Sequence, residues 1–124
     1  MSAIQRTIFT IFLGVLAVAL PARGAESVRT ITVHAKRYKF LPAEITVSKG
    51  EPVRLILISD DVDHGLAVRD LGIRADMPKG KRVVVMVTPD QTGDFKGTCS
   101  RFCGAGHGSM MFVVHVVDKA QPPG

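Results

Sequence analysis

The chain has 124 residues, with 16 Lys and Arg against 11 Asp and Glu, two cysteines and no tryptophan. That length supplies one domain with one modest core, which excludes a multidomain enzyme. The basic residues are scattered and form no block that would track a phosphate backbone, so nucleic acid is not an expected partner.

The opening MSAIQRTIFTIFLGVLAVALPARGAES carries one cation, Arg6, then an uncharged run from Thr7 to Ala22, then a small-residue stretch. This pattern predicts a secretory signal over residues 1–24, cleaved after Gly24, with Ala22 and Gly24 at the specificity positions of a signal peptidase site. The alternative is a retained anchor with Arg6 snorkelling, although the run is short against the roughly 17 to 25 residues of a bilayer span. Either way residues 25–124 are expected in the periplasm or at the outer face of the cytoplasmic membrane. They hold 14 basic and 11 acidic residues, a net charge of +3. That charge can steer contact with an acidic protein surface or anionic lipid and does not choose between them.

From Val28 onward come short runs rich in Val, Ile and Thr: VRTITVHA, EITV, VRLILIS, HGLAV, RVVVMV, FKGTCS and MFVVHVV. KGEP, SDDVD, MPKGK and TPDQTGD separate them, and their Gly, Pro, Asp and Ser supply the backbone angles and local hydrogen bonds of turns. Short strands punctuated in this way predict a small antiparallel sandwich. In VRLILIS both alternating sets, Arg54, Ile56, Ile58 and Val53, Leu55, Leu57, are mostly apolar, which places that strand at the centre of a sheet. No helical stripe of useful length follows residue 25.

The stretch CSRFCGAGHGSM, Cys99 to Met110, puts both cysteines, an imidazole and a thioether between the last two predicted strands. Two cysteines outside the cytoplasm ordinarily form a disulfide, but these would close a very small ring with little loop entropy to gain and demanding geometry. Thiolate, imidazole and thioether together suit copper; Cys103, His107 and Met110 with a second histidine would make a mononuclear blue-copper site. His64 is the candidate, since it follows the acidic turn of DDVDHGLAV and precedes Gly65, whose backbone can come close to a site. His34 and His115 lie inside strand runs, where an ordinary hydrogen-bonded histidine is expected; for Met110 the ordinary role is core filler beside Met111. A mononuclear site leaves Cys99 unexplained, whereas a second thiolate on a tight turn lets two coppers be bridged by two sulfurs. Zinc is the main rival metal, with two cysteines and two histidines as tetrahedral ligands, but it has no use for Met110.

CSRFCGAGHGSM resembles the binuclear copper A motif C-x-x-x-C-G-x-x-H-x-x-M of cytochrome c oxidase subunit II, and DVDHGLAVRDLGIRADMPKG resembles the same family's upstream histidine segment. The likeness runs from about Ile31 to Val117. It implies an all-β, cupredoxin-like Greek-key sandwich of antiparallel and mixed strands, and two copper ions per chain. Cys99 and Cys103 would bridge both coppers, with His64 and Met110 on one metal and His107 with the main-chain carbonyl of Arg101 on the other. The implied function is electron transfer, as the electron-accepting domain of a haem-copper oxidase or a related periplasmic carrier, with no bond-making chemistry at the site itself. The implied partners are a c-type cytochrome or other redox protein as donor and the oxidase's subunit I, with membrane contact if the N-terminal segment is retained.

Three departures qualify the resemblance, the first being that typical subunit II has two membrane spans and a shorter form one, while this sequence shows at most one marginal span. Many family members have glutamate at the position of Arg101, where its carboxylate ligates magnesium or manganese at the interface with the catalytic subunit. Arginine has no acceptor for that task, so no such ion is expected. The family's tryptophan-containing aromatic cluster, which receives electrons from cytochrome c, is also missing; Tyr38 and Phe40 in AKRYKF are its weaker counterparts. With the spare methionines Met77, Met86 and Met111 and a loop containing Gly104, Gly106 and Gly108, these departures keep a second function open. That function is a periplasmic copper carrier or an assembly factor delivering metal to an oxidase, which would expose its ligands and release metal readily.

Overall fold

A computed structural model describes residues 14–19 and 28–118. The expected signal segment over residues 1–24 lies outside the described residues apart from 14–19, which form neither helix nor strand. No helix among the described residues is long and apolar enough to cross a membrane.

The strands are β1 (Arg29–Lys36), β2 (Lys39–Leu41), β3 (Glu44–Ser48), β4 (Val53–Ser59), β5 (His64–Val68), β6 (Ile73–Met77), β7 (Arg82–Val87), β8 (Gly93–Thr98) and β9 (Met111–Val117). They build two facing sheets, a four-stranded one in the order β2-β1-β4-β7 and a five-stranded one in the order β3-β9-β8-β5-β6. β1 with β4 and β3 with β9 pair in parallel, and the other pairs are antiparallel. This is the mixed, Greek-key sandwich of the cupredoxin type. β4 lies between β1 and β7, as its two apolar faces predict.

Two strands escape the sequence reading. β2 is only three residues long, and β6 carries Arg74 and Asp76 on its exposed face while Ile73 and Met77 are buried, so an edge strand looks like turn material. A third difference concerns FKGTCS. The ladder begins earlier, with Gly93 opposite Val116, and ends at Thr98 opposite Met111, which releases Cys99 into the loop.

Val33, Leu55 and Leu57 from one sheet and Val47, Leu66 and Val68 from the other are fully buried in the shared core. Phe40 on β2 meets Phe112 on β9 edge to face across the sandwich, with centroids 5.8 Å apart, a contact worth about 0.5–1.5 kcal/mol beyond its area. Phe40 is therefore a core residue and no surface counterpart of an aromatic docking cluster. The strand directions bring four connections to one end: the β1–β2 turn, the β4–β5 loop, the β6–β7 turn and the β8–β9 loop. The registers fix this, since His64 opens β5 opposite Met77 closing β6, and Arg82 opens β7 opposite Ile58 near the end of β4.

Candidate metal centre

His64, the first residue of β5, is fully buried. Its Nε2 donates to Asp61 Oδ1 at 2.8 Å. A carboxylate only accepts, so Nε2 carries a proton and Nδ1 is the nitrogen that faces Cys99 Sγ, 3.8 Å away. Asp61 also accepts the backbone N–H groups of Arg37 and Val62, each at 2.7 Å. Partial burial pushes the Asp61 carboxyl up, but the Arg37 N–H, the His64 ring and the Val62 N–H together outweigh it and hold the pKa down at about 2. An ionised carboxylate on the far nitrogen is the usual device for aiming a histidine at a metal.

Cys99 and Cys103 are free thiols, each 5 % exposed, with their sulfurs 3.8 Å apart. The Cys99 thiol donates to the main-chain oxygen of Arg101 at 3.0 Å, and the Cys103 thiol donates to Met110 Sδ at 3.4 Å. His107 Nδ1 stands 3.6 Å from Cys103 Sγ, and Met110 is fully buried. All six groups singled out in the sequence thus converge, and the ligand atoms of His64, Cys99 and Cys103 lie within 4.8 Å of one another. Burial, then the hydrogen bond and charge of Cys99, push the Cys103 thiol up to about 11. A metal arriving at neutral pH must therefore displace a proton there. His34 and His115 stand apart from this cluster: His34 bonds Asp60 at 2.8 Å, and His115 bonds Asp94 at 2.6 Å.

Close backbone approach lets the loops meet. A Cβ on Gly65 would collide with the Ser100 hydroxyl, and the Ser100 N–H donates to the Gly65 carbonyl at 3.3 Å, so the Cys99–Arg101 segment lies directly on β5. A Cβ on Gly106 would fall inside the Tyr38 ring, which braces the other side of the loop. Arg37 Nε donates to the Cys103 carbonyl at 3.0 Å. Asp63 accepts the Lys79 N–H at 2.8 Å and pairs with the Arg101 guanidinium at 3.3 Å, tying three loops together. Sequence reasoning assigned no role to Arg37, Asp61 or Asp63. Only the acidic turn before His64 signalled the two aspartates, and nothing local links Arg37 to a residue 66 positions away.

The donors fit copper. Two metal–thiolate bonds of about 2.3 Å sum to more than the sulfur separation, so a metal can bond both sulfurs while lying off the line that joins them, leaving the opposite side open. Two thiolates, a thioether and two imidazoles form a soft donor set.

The family model for the cytochrome c oxidase subunit II periplasmic domain matches residues 25–117. Among solved structures, the chain is similar to the periplasmic domain of subunit II of cytochrome oxidase of Bradyrhizobium japonicum. That likeness has 22 % identity and a TM-score of 0.67, and covers 73 % of this chain and 84 % of that one. A haem-copper terminal oxidase dimer matches with 21 % identity and a TM-score of 0.67, over 75 % of this chain and 67 % of that one. A copper-binding protein solved in its apo form matches with 25 % identity and a TM-score of 0.56, over 71 % and 86 % of the two chains. The chain belongs to the family of cytochrome c oxidase subunit II periplasmic domains, a cupredoxin-like extracytoplasmic domain with a His–Cys–Cys metal-binding cluster at one end of its sandwich.

Proposed function

We propose that the domain transfers electrons through a binuclear copper A centre, as the subunit II domain of a haem-copper oxidase or as a related periplasmic carrier. The observation that carries this reading is the distribution of donors about the two sulfurs. His64 Nδ1 and the Arg101 carbonyl lie at the Cys99 end; His107 Nδ1 and Met110 Sδ lie at the Cys103 end. Two nitrogens and two weak donors about the pair of thiolates would supply one nitrogen and one weak donor to each of two coppers; the family resemblance pairs His64 with Met110 and His107 with the Arg101 carbonyl. Two bound coppers would supply a one-electron valence change shared between the metals.

The chain's own residues do the rest. Asp61 holds the His64 ring with its free nitrogen inward, Arg37 fixes the Cys103 backbone, and Tyr38 and Gly65 confine the ligand loop, so the donors keep their places in either valence state. Burial of His64, Cys99, Cys103 and Met110 excludes water and opposes ready metal release, which argues against the copper-carrier alternative. The Arg101 side chain pairs with Asp63 at the surface and has no acceptor for a divalent ion, so no magnesium site is expected at this position. A c-type cytochrome or other redox protein would supply the electron and subunit I of an oxidase would take it. Residues 1–24 would be removed at export, leaving residues 25–124; intact mass of protein from the native envelope tests this, and a full-length mass in the membrane fraction establishes the anchor.

Copper content and electron paramagnetic resonance of the loaded chain test the site. Two coppers per chain, with one unpaired electron coupled to both nuclei, are expected. One copper or one zinc per folded chain overturns the binuclear reading. Copper that passes to a soluble chelator within seconds favours the carrier instead.

A further inference from the structure

At the end of the sandwich that bears the ligands, cations outnumber acids. Lys36, Arg37 and Lys39 on and beside the β1–β2 turn, and Lys79 and Lys81 on the β6–β7 turn, lie at the same end as the metal-ligand loops. None of these five side chains has a carboxylate within ion-pair distance among the described residues. The β4–β5 loop adds three acids at the same end, Asp60 bonded to His34, Asp61 to His64, and Asp63 to the Lys79 backbone and Arg101, so only Asp63 is matched by a permanent cation and the end stays net positive because the cations are more numerous. At the opposite end the turns carry both signs, with Lys49 near Glu51 and Arg69 beside Asp70.

Amid these cations stands Phe102, 78 % exposed. It sits between the two cysteines in sequence, and its ring lies 5.7 Å from the ring of His107, tilted by 50°. A cleft of about 340 Å³ runs from Phe102 along Arg37, Val62, Cys103 and Gly104, with the Arg101–Asp63 ion pair also in its lining. His107 is the only one of the two cluster histidines with an accessible edge, since His64 is fully buried. Nothing inside the domain requires so exposed an aromatic ring on the ligand loop. An exposed apolar ring on the ligand loop, at an end of the sandwich where unpaired cations outnumber acids, is the anatomy of a docking face for a partner of opposite charge, because charge steers the encounter and a desolvated centre closes it.

We infer that this end of the domain docks an electron-transfer protein with an acidic surface, with Phe102 at the centre of the contact and Lys36, Lys39, Lys79 and Lys81 on its rim. The identity of the partner as a redox protein rests on the electron-transfer reading above; the acidic chemistry does not. An anionic membrane would also attract the cations, but it makes no use of a ring set against a ligand histidine.

The test uses the full chain and two probes that differ in surface charge alone: a c-type cytochrome with a lysine-rich surface, and the same cytochrome after its lysines are succinylated. Binding is measured first on the metal-free chain, as the salt dependence of complex formation. The succinylated probe is expected to bind at least tenfold more tightly than the basic one at low ionic strength and to lose that advantage at about 0.5 M salt, where the screening length falls to a few ångströms. The variant carrying Lys36→Glu, Lys39→Glu and Lys81→Glu, none of which touches a ligand, is expected to lose tenfold or more in binding. Phe102→Ala should weaken binding with the salt dependence unchanged. Electron transfer is then followed in the copper-loaded, prereduced chain as the one-electron reduction of the ferric haem. Equal binding of both probes by the native chain, or preference for the basic one, overturns the inference without recourse to any variant. Salt-sensitive sedimentation with phosphatidylglycerol vesicles, in the absence of probe discrimination, overturns it in favour of a membrane surface. Discriminating binding without electron transfer overturns the redox reading of the site and leaves the acidic docking face standing.

Discussion

Asp61→Asn separates the aiming of His64 from its mere presence. In the native chain Oδ1 accepts from His64 Nε2 and the Val62 N–H, and Oδ2 accepts from the Arg37 N–H. An asparagine has only one acceptor oxygen. If that oxygen serves His64 and Val62, its NH₂ group confronts the Arg37 N–H. If it serves Arg37, the NH₂ confronts His64 Nε2, and the ring can satisfy it only by moving its proton to Nδ1, the nitrogen that faces Cys99. The first arrangement loses a charge-assisted hydrogen bond, worth about 1.5–3 kcal/mol. Asp61 is 33 % exposed, so the lower end of that range, about 1.5 kcal/mol, is the expected loss of stability in the metal-free chain. The second arrangement blocks a metal ligand, and removal of an outer carboxylate from a ligand histidine typically costs about 10- to 100-fold in metal affinity, or about 1.4–2.8 kcal/mol.

Copper(I) affinity by chelator competition and urea unfolding of the metal-free chain give the two quantities independently. The pH dependence adds a signature. The folded-state pKa of Asp61, about 2, lies below its ordinary value of 3.8, so its contribution is present above the ordinary value and is lost as pH falls through the folded value. Asp61→Asn should flatten the native chain's loss of stability over that acid window. An unchanged copper affinity together with an unchanged acid profile would refute the reasoning that the carboxylate orients the ring.

Three further outcomes are expected. Met110→Leu should keep both coppers, because a thioether is a weak neutral donor, while shifting the reduction potential and the spectrum of the loaded site; an unchanged potential and spectrum would make Met110 packing alone. Gly106→Ala drives a methyl into the Tyr38 ring and should cost about 1–3 kcal/mol by overpacking, read by urea unfolding of the metal-free chain; full stability would show that Tyr38 does not brace the loop. Bonding to Asp94 raises the His115 pKa from 6.5, so the stability difference between the native chain and His115→Gln should be full below that pH and vanish as pH rises through the folded value; a difference independent of pH would show that the imidazolium pairs contribute nothing.

Much of the site was legible because its chemistry is local. Cys99, Cys103, His107 and Met110 lie within twelve residues, and soft ligands at that density have few ordinary uses outside the cytoplasm. His64 needed a second signal, the acidic turn and following glycine, and Gly65 proves to be where the ligand loop rests on β5. The strands with β-branched alternation were legible for the same reason. β6 was not, because an edge strand with Arg74 and Asp76 on its outer face shows the composition of a loop. The supporting residues were hidden for a different reason: the bonds from Arg37 to Cys103 and from Asp63 to Arg101 join segments that only the sandwich brings together, and charged residues in turns look alike whether they face solvent or hold a backbone in place.

Those hidden residues also bear on what the centre is built to do. A protein that hands over its metal needs ligands that can swing out, and the glycines of the β8–β9 loop alone would permit that. Here, however, the loop is fastened from three sides: to β5 through Ser100 and Gly65, to the β1–β2 turn through Cys103, Arg37 and Tyr38, and to the β4–β5 loop through Arg101 and Asp63. Releasing a metal would require these contacts to part together, along with exposure of His64 and Met110, both fully buried. Passing an electron requires none of that; it needs ligands held still and one edge near the surface, and under the proposed function the His107–Phe102 contact would be that edge. Small residues at close approaches and polar groups at the braces therefore serve the same end, a ligand set that is fixed before the metal arrives.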